Sequence, residues 1–125
     1  MIIKTKTFDR WARKASLTDD SIINAVDEMT RGLVDAELGS GVFKKRVALP
    51  GKGKSGGVRT LLATNLKNKW FFIFGFEKSD RSNISAKELE VIKSMANDLL
   101  SMDIEKIIKA ITDGFLTEVK HEKEK

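Results

Sequence analysis

A chain of 125 residues with 23 Lys and Arg, 18 Asp and Glu, one His, no Tyr and no Cys is already bounded in what it can do. The length suits one domain with its own core, while the missing cysteines exclude disulfides and thiolate metal sites and fit a reducing compartment. No apolar run reaches signal-peptide or membrane-span length, so the default expectation is a soluble cytoplasmic protein with no membrane partner.

In chain order, residues 2 to 5 read as a short strand. Phe8, Trp11, Ala12 and Ala15 then share one face of a helix that Thr7 is placed to cap. Thr18 reads as the N-cap of a second helix, with Asp19 and Asp20 in its first turn and Ile22, Val26, Met29 and Leu33 at helical spacing. Asp35 to Gly41, with two glycines, reads as the connection out of this helical pair. Phe43, Val47 and Leu49 alternate with Lys44 and Arg46 as in a strand, and Lys45 is the weak point, because that register puts it on the apolar side. Val58 to Asn65 and Trp70 to Phe76 read as a hairpin turned at residues 66 to 69. Its second strand is apolar on both sides and therefore central and covered. Ser85 and Glu88 form a capping box for a third helix, Asp103 caps a fourth that ends at Gly114, and Phe115 to Val119 reads as a last edge strand. The expected fold class is α+β: one domain over residues 1 to 119, a small antiparallel sheet with an N-terminal helical pair and C-terminal helices. Residues 120 to 125 form a charged tail.

Charge is segregated along this order. Residues 41 to 81 hold ten Lys and Arg against two acids, a balance of +8, whereas the segments before and after are slightly acidic. The positive segment centres on Pro50 to Arg59, PGKGKSGGVR, a glycine-rich basic loop preceded by Lys44-Lys45-Arg46. Such a surface suits a polyanion, since glycines let backbone N–H groups approach phosphates. Gly53-Lys54-Ser55 resembles the end of a phosphate-binding P-loop. The pattern needs a glycine where Ala48 stands and a helix where Val58 onward reads as a strand, so nucleotide hydrolysis is disfavoured. Taken alone, the loop is as well explained as a solvated turn. What favours function is Arg59 just after it, with Lys78 and Arg81 just after the last central strand, where strand ends can share an edge. The two Trp and the Phe cluster are explained by core packing. Asp80 reads as a salt-bridge partner of Arg81 or a proton acceptor, and no His, Cys or acid cluster has metal-ligand spacing, so no cofactor is expected.

The segments RGLVDAELG (31 to 39), Lys44-Lys45-Arg46, GKGKSGGVRT and FGFEKSDRSNI together resemble the RelE/HigB family of toxins from bacterial type II toxin–antitoxin modules. The likeness spans nearly the whole chain. It implies a RelE/ParE-like α+β toxin that cleaves messenger RNA, in many members on the ribosome, and is silenced by a cognate antitoxin. The ParE branch shares the fold but poisons DNA gyrase and lacks the basic catalytic set, so Lys52, Lys54, Arg59 and Arg81 argue for the nuclease side. A departure stands at the C-terminus: RelE has an active-site tyrosine there, and this chain has no tyrosine at all.

Cleaving RNA by attack of the 2′-hydroxyl requires proton removal from O2′, stabilisation of a phosphorane and protonation of the leaving 5′-oxygen. Arg59 and Arg81 suit the second task, because guanidinium forks stay charged and bind phosphate oxygens bidentately. Lys54 is the candidate acid or base, with Lys52 as its electrostatic partner, since neighbouring cations disfavour its charged form. Lys44, Lys45, Arg46 and Lys78 are expected to bind RNA. Competing readings are a non-catalytic toxin acting on a protein such as gyrase, and an RNA-binding domain without chemistry.

Overall fold

The computed structural model describes residues 1–51 and 53–120, and for residues 53–55 the backbone alone; Lys52 and most of the expected charged tail lie outside these. The order is β1 (Ile2–Thr5), α1 (Lys6–Lys14), α2 (Asp19–Thr30), β2 (Ala36–Gly39), β3 (Val42–Leu49), β4 (Gly53–Thr64), β5 (Trp70–Glu77), α3 (Ala86–Leu100), α4 (Ile104–Thr112) and β6 (Leu116–Val119). The six strands form one sheet in the order β2-β3-β4-β5-β1-β6. Every neighbouring pair is antiparallel except β1 with β5. The α+β architecture read from the sequence is therefore the observed one, with a larger sheet than expected.

Both faces of the sheet are covered. On one side, Phe8 and Ala12 of α1 and Ile22, Ala25, Val26 and Met29 of α2 pack on Phe43, Val47, Val58, Leu62, Trp70 and Phe72. On the other, Ile92 and Ala96 of α3 and Ile107 of α4 pack on Ile3, Val42, Leu61, Ala63, Phe71 and Ile73. This two-sided burial is why β5 reads as nearly continuous apolar sequence. Local signals set the helix starts: Thr18, Ser85 and Asp103 each accept a backbone N–H in the first turn, and Ser85 with Glu88 completes the capping box. Such caps contribute about 1 kcal/mol each. The first helix differs from expectation. Its N-cap is Thr5, whose hydroxyl accepts from Phe8 N, so the helix follows β1 with no linker and Thr7 lies inside it.

Two further corrections shape the basic segment. Residues 36 to 39, expected as a connection, form β2 on the outer edge of β3. Most of the expected loop 50 to 59 is strand: β4 begins at Gly53, which pairs with Leu49, and the register slips before Val58 meets Val47. That slip brings Gly57 against β3, where a Cβ would collide with the Val47 carbonyl oxygen. Only glycine permits this approach.

Candidate nucleic-acid interface

Strand pairing puts the basic residues of β3 and β4 in register. Arg59 lies opposite Arg46 on β3 and opposite Phe76 on β5. Leu61, two residues beyond Arg59, belongs to the core under α3 and α4, so Arg59 and its cross-strand partners share that face. The core stops at Leu61 and Phe74. Lys44 stands beside Leu61 on this face, and past it the face carries Arg46, Arg59 and Phe76, which makes a basic row across the sheet.

The connection from β5 to α3 folds onto this row. Lys44 Nζ donates to Asn83 Oδ1 at 3.2 Å, and the same oxygen accepts from Ile84 N at 2.9 Å. Arg81 sits with its guanidinium carbon 5.6 Å from the Phe74 ring centre, a cation–π placement. Phe74 in turn lies 6.3 Å, ring to ring, from Phe76, the strand partner of Arg59. A chain of contacts therefore links Arg59, Phe76, Phe74 and Arg81. Arg81 Nη1 also donates to Glu88 Oε1 at 2.6 Å. Its partner is thus the capping carboxylate of α3 and not Asp80, which is exposed. The backbone N–H of Ser85, then Arg81, hold the Glu88 carboxyl below its ordinary range.

Arg59 is half-buried, and its Nη1 is fully buried with no hydrogen-bond partner among the described residues. A buried guanidinium N–H without an acceptor costs free energy, so Arg59 is held in the row by packing and not by hydrogen bonds at that atom. Arg46 is tied by contrast: Asp35 accepts from both its backbone N and its Nε. Asp35 thereby satisfies an N–H of β3 beyond the reach of β2 while leaving the guanidinium about half exposed.

The remaining expected residues divide clearly. Lys78 is exposed at the start of the β5–α3 connection. The backbone of Lys54 belongs to β4, but its side chain, like all of Lys52, lies outside the described residues. Lys45 does not join the row. It is 3% exposed on the opposite face, its Nζ 2.7 Å from Glu28 of α2 and 2.9 Å from Leu33 O, so it serves the core. Glu88, Asn83 and Phe74 escaped the site reading. Glu88 was visible only as a helix cap, and its bond to Arg81 spans a connection whose path no local pattern gives.

Comparison with protein-family models matches residues 1–119 to the RelE toxin of the RelE / RelB toxin-antitoxin system. The chain belongs to the RelE toxin family. The match covers all ten elements, so this RelE-family toxin carries its basic row on the family's domain and not on an added segment. Membership implies an antitoxin partner. No curated protein matches the chain. Among the described residues of this RelE-family toxin, no helix is long and apolar enough to cross a membrane, and no His, Cys, Asp or Glu cluster could hold a metal.

Proposed function

We propose that this toxin is a metal-independent endoribonuclease, an mRNA interferase that cuts messenger RNA on the ribosome in the cytoplasm. The observation that carries the reading is the basic row: Arg59 lies opposite Arg46 on one side and opposite Phe76 on the other, and Phe76 leads through Phe74 to Arg81.

In the proposed reaction O2′ attacks the adjacent phosphorus and gives its proton to a base, the P–O5′ bond breaks, and O5′ is protonated. The products are a 2′,3′-cyclic phosphate and a 5′-hydroxyl. Arg59 and Arg81 grip the scissile phosphate, where their hydrogen bonds strengthen as charge develops. Removing one such donor typically slows turnover by about 10²–10³. Lys54 moves the proton, with Lys52 keeping its charged form unfavourable. Lys44, Arg46 and Lys78 bind flanking phosphates. The ribosome holds the messenger in an attack geometry, which offsets the want of an imidazole. The antitoxin covers the row or its rim with acidic residues.

The test is primer extension on messenger RNA in a reconstituted translation reaction, with and without ribosomes, beside Lys54→Ala and Arg81→Ala proteins. Cuts at defined codon positions that disappear in the variants support the reading. Intact RNA in the presence of folded protein that still arrests growth points instead to a protein target.

A further inference from the structure

A second group of cations lies on the other side of the sheet. Lys6, Arg10 and Arg13 recur at spacings of four and three on α1, so they form one stripe on its outer face, and Lys14 extends it. With Asp9, Gly114 and Thr117 they line a cleft of about 290 Å³ between α1 and the β6 edge. The carboxylate there is already neutralised, since Asp9 pairs with Lys4 at 2.8 Å and Arg13 at 2.9 Å. Lys6, Arg10 and Lys14 are exposed and make no ion pair among the described residues. The buried side of α1 packs in the core shared with α2, so this stripe and the Arg46–Arg59 row are on opposite sides of the sheet.

We propose that the outer face of α1 is a second RNA-binding site that takes backbone phosphates while the Arg59 row holds the strand to be cut. This rests on the RNA-cleaving reading and adds to it a grip on a large structured RNA. The lining favours RNA over an acidic protein. It contains no apolar side chain, whereas protein interfaces are anchored by buried aromatic or aliphatic groups. Phosphate binding needs only such exposed cations, and Arg forks match phosphate oxygens.

The experiment titrates the full-length protein with a fluorescein-labelled RNA hairpin carrying 2′-O-methyl riboses, which 2′-hydroxyl attack cannot cleave, across a range of salt concentrations. Three proteins are compared: the parent, Lys6→Gln/Arg10→Gln and Lys44→Gln/Arg46→Gln, each confirmed folded by circular dichroism. The α1 variant is expected to lower the slope of log affinity against log salt by about 1.5, the loss of two phosphate contacts. An unchanged slope in that variant overturns the proposal. If the slope then falls in the Lys44/Arg46 variant, the Arg59-row reading survives alone. If only the α1 variant responds, the second site stands and the first is misplaced. A labelled polyglutamate peptide in the same titration decides the ligand class: loss of peptide binding with RNA binding intact makes this face a protein-docking surface and contradicts the proposal.

Discussion

Glu88 Oε1 accepts two hydrogen bonds at once, from Ser85 N at 3.0 Å and from Arg81 Nη1 at 2.6 Å. The carboxylate that closes the first turn of α3 thereby also fixes the arginine that lies over Phe74. Helix start and proposed site are coupled through one oxygen. Glu88→Gln is expected to reduce the single-turnover cleavage rate about tenfold, because Arg81 loses its held position. RNA affinity should stay equal or rise, since a negative charge leaves the row. Rapid-quench kinetics combined with anisotropy separates the two, and a weakened affinity with an unchanged rate would show that Glu88 acts otherwise.

The Lys4–Asp9–Asp19 group makes a prediction about pH. Lys4, at the end of β1, is 2.8 Å from Asp9 of α1 and 2.9 Å from Asp19 of α2. Burial pushes the Asp9 carboxyl up, but its bonds and charges from Lys4 and Arg13 outweigh this and the net direction is down. Its contribution to stability is therefore complete above the ordinary Asp range, about 3.9, and is lost as pH falls through the depressed value. For Lys4, burial pushes the ammonium down, yet Asp9 and Asp19 carry it above its ordinary range. That contribution is complete below about pH 10.4 and is lost as pH rises through the raised value. Asp9→Asn should destabilise the fold by about 1.5–3 kcal/mol at neutral pH, since Lys4 keeps Asp19, and flatten the acid limb of a stability–pH profile from urea unfolding.

Lys45 separates core from site. Lys45→Met removes its bonds to Glu28 and Leu33 O, and the expected loss is about 2–3 kcal/mol in urea unfolding. The salt dependence of RNA binding should not change, because Lys45 is buried on the face away from the row.

Gly57→Ala tests the geometry of β4. The new Cβ meets the Val47 carbonyl, which is fixed in the ladder, so β4 must move. The expected cost is about 2 kcal/mol or more, with cleavage falling further than stability alone explains, since Lys54 and Arg59 flank the position.

The residues that were legible from sequence are those whose signals are local. Thr18, Ser85 and Asp103 announced their helices because a cap needs only the next three residues. The apolar run at 70 to 76 announced a doubly covered strand. β2 was not legible, since Ala36 to Gly39 is short, acidic and glycine-ended and becomes a strand only by pairing with β3. Gly53 to Gly57 hid for the same reason: glycine has little β preference of its own, and the ladder to β3 supplies the conformation. The parallel pairing of β1 with β5 joins residues nearly seventy apart and leaves no local trace. For the proposed site, residue type alone nominates Arg59 and Arg81, and the fold places both about Phe74 and Phe76. The odd register of Lys45 hinted at its inward turn, whereas its partner Glu28 and the hold of Glu88 on Arg81 depend on how distant elements pack.

The most direct measurement is the single-turnover cleavage rate of messenger RNA on programmed ribosomes by Arg59→Ala, compared with the parent and with Arg59→Lys, each shown folded by thermal melting. A loss of about 10²–10³-fold is expected for alanine, with partial recovery for lysine, which restores the charge without the fork. Undiminished cleavage by a folded Arg59→Ala protein would rule out the proposed grip of Arg59 on the scissile phosphate.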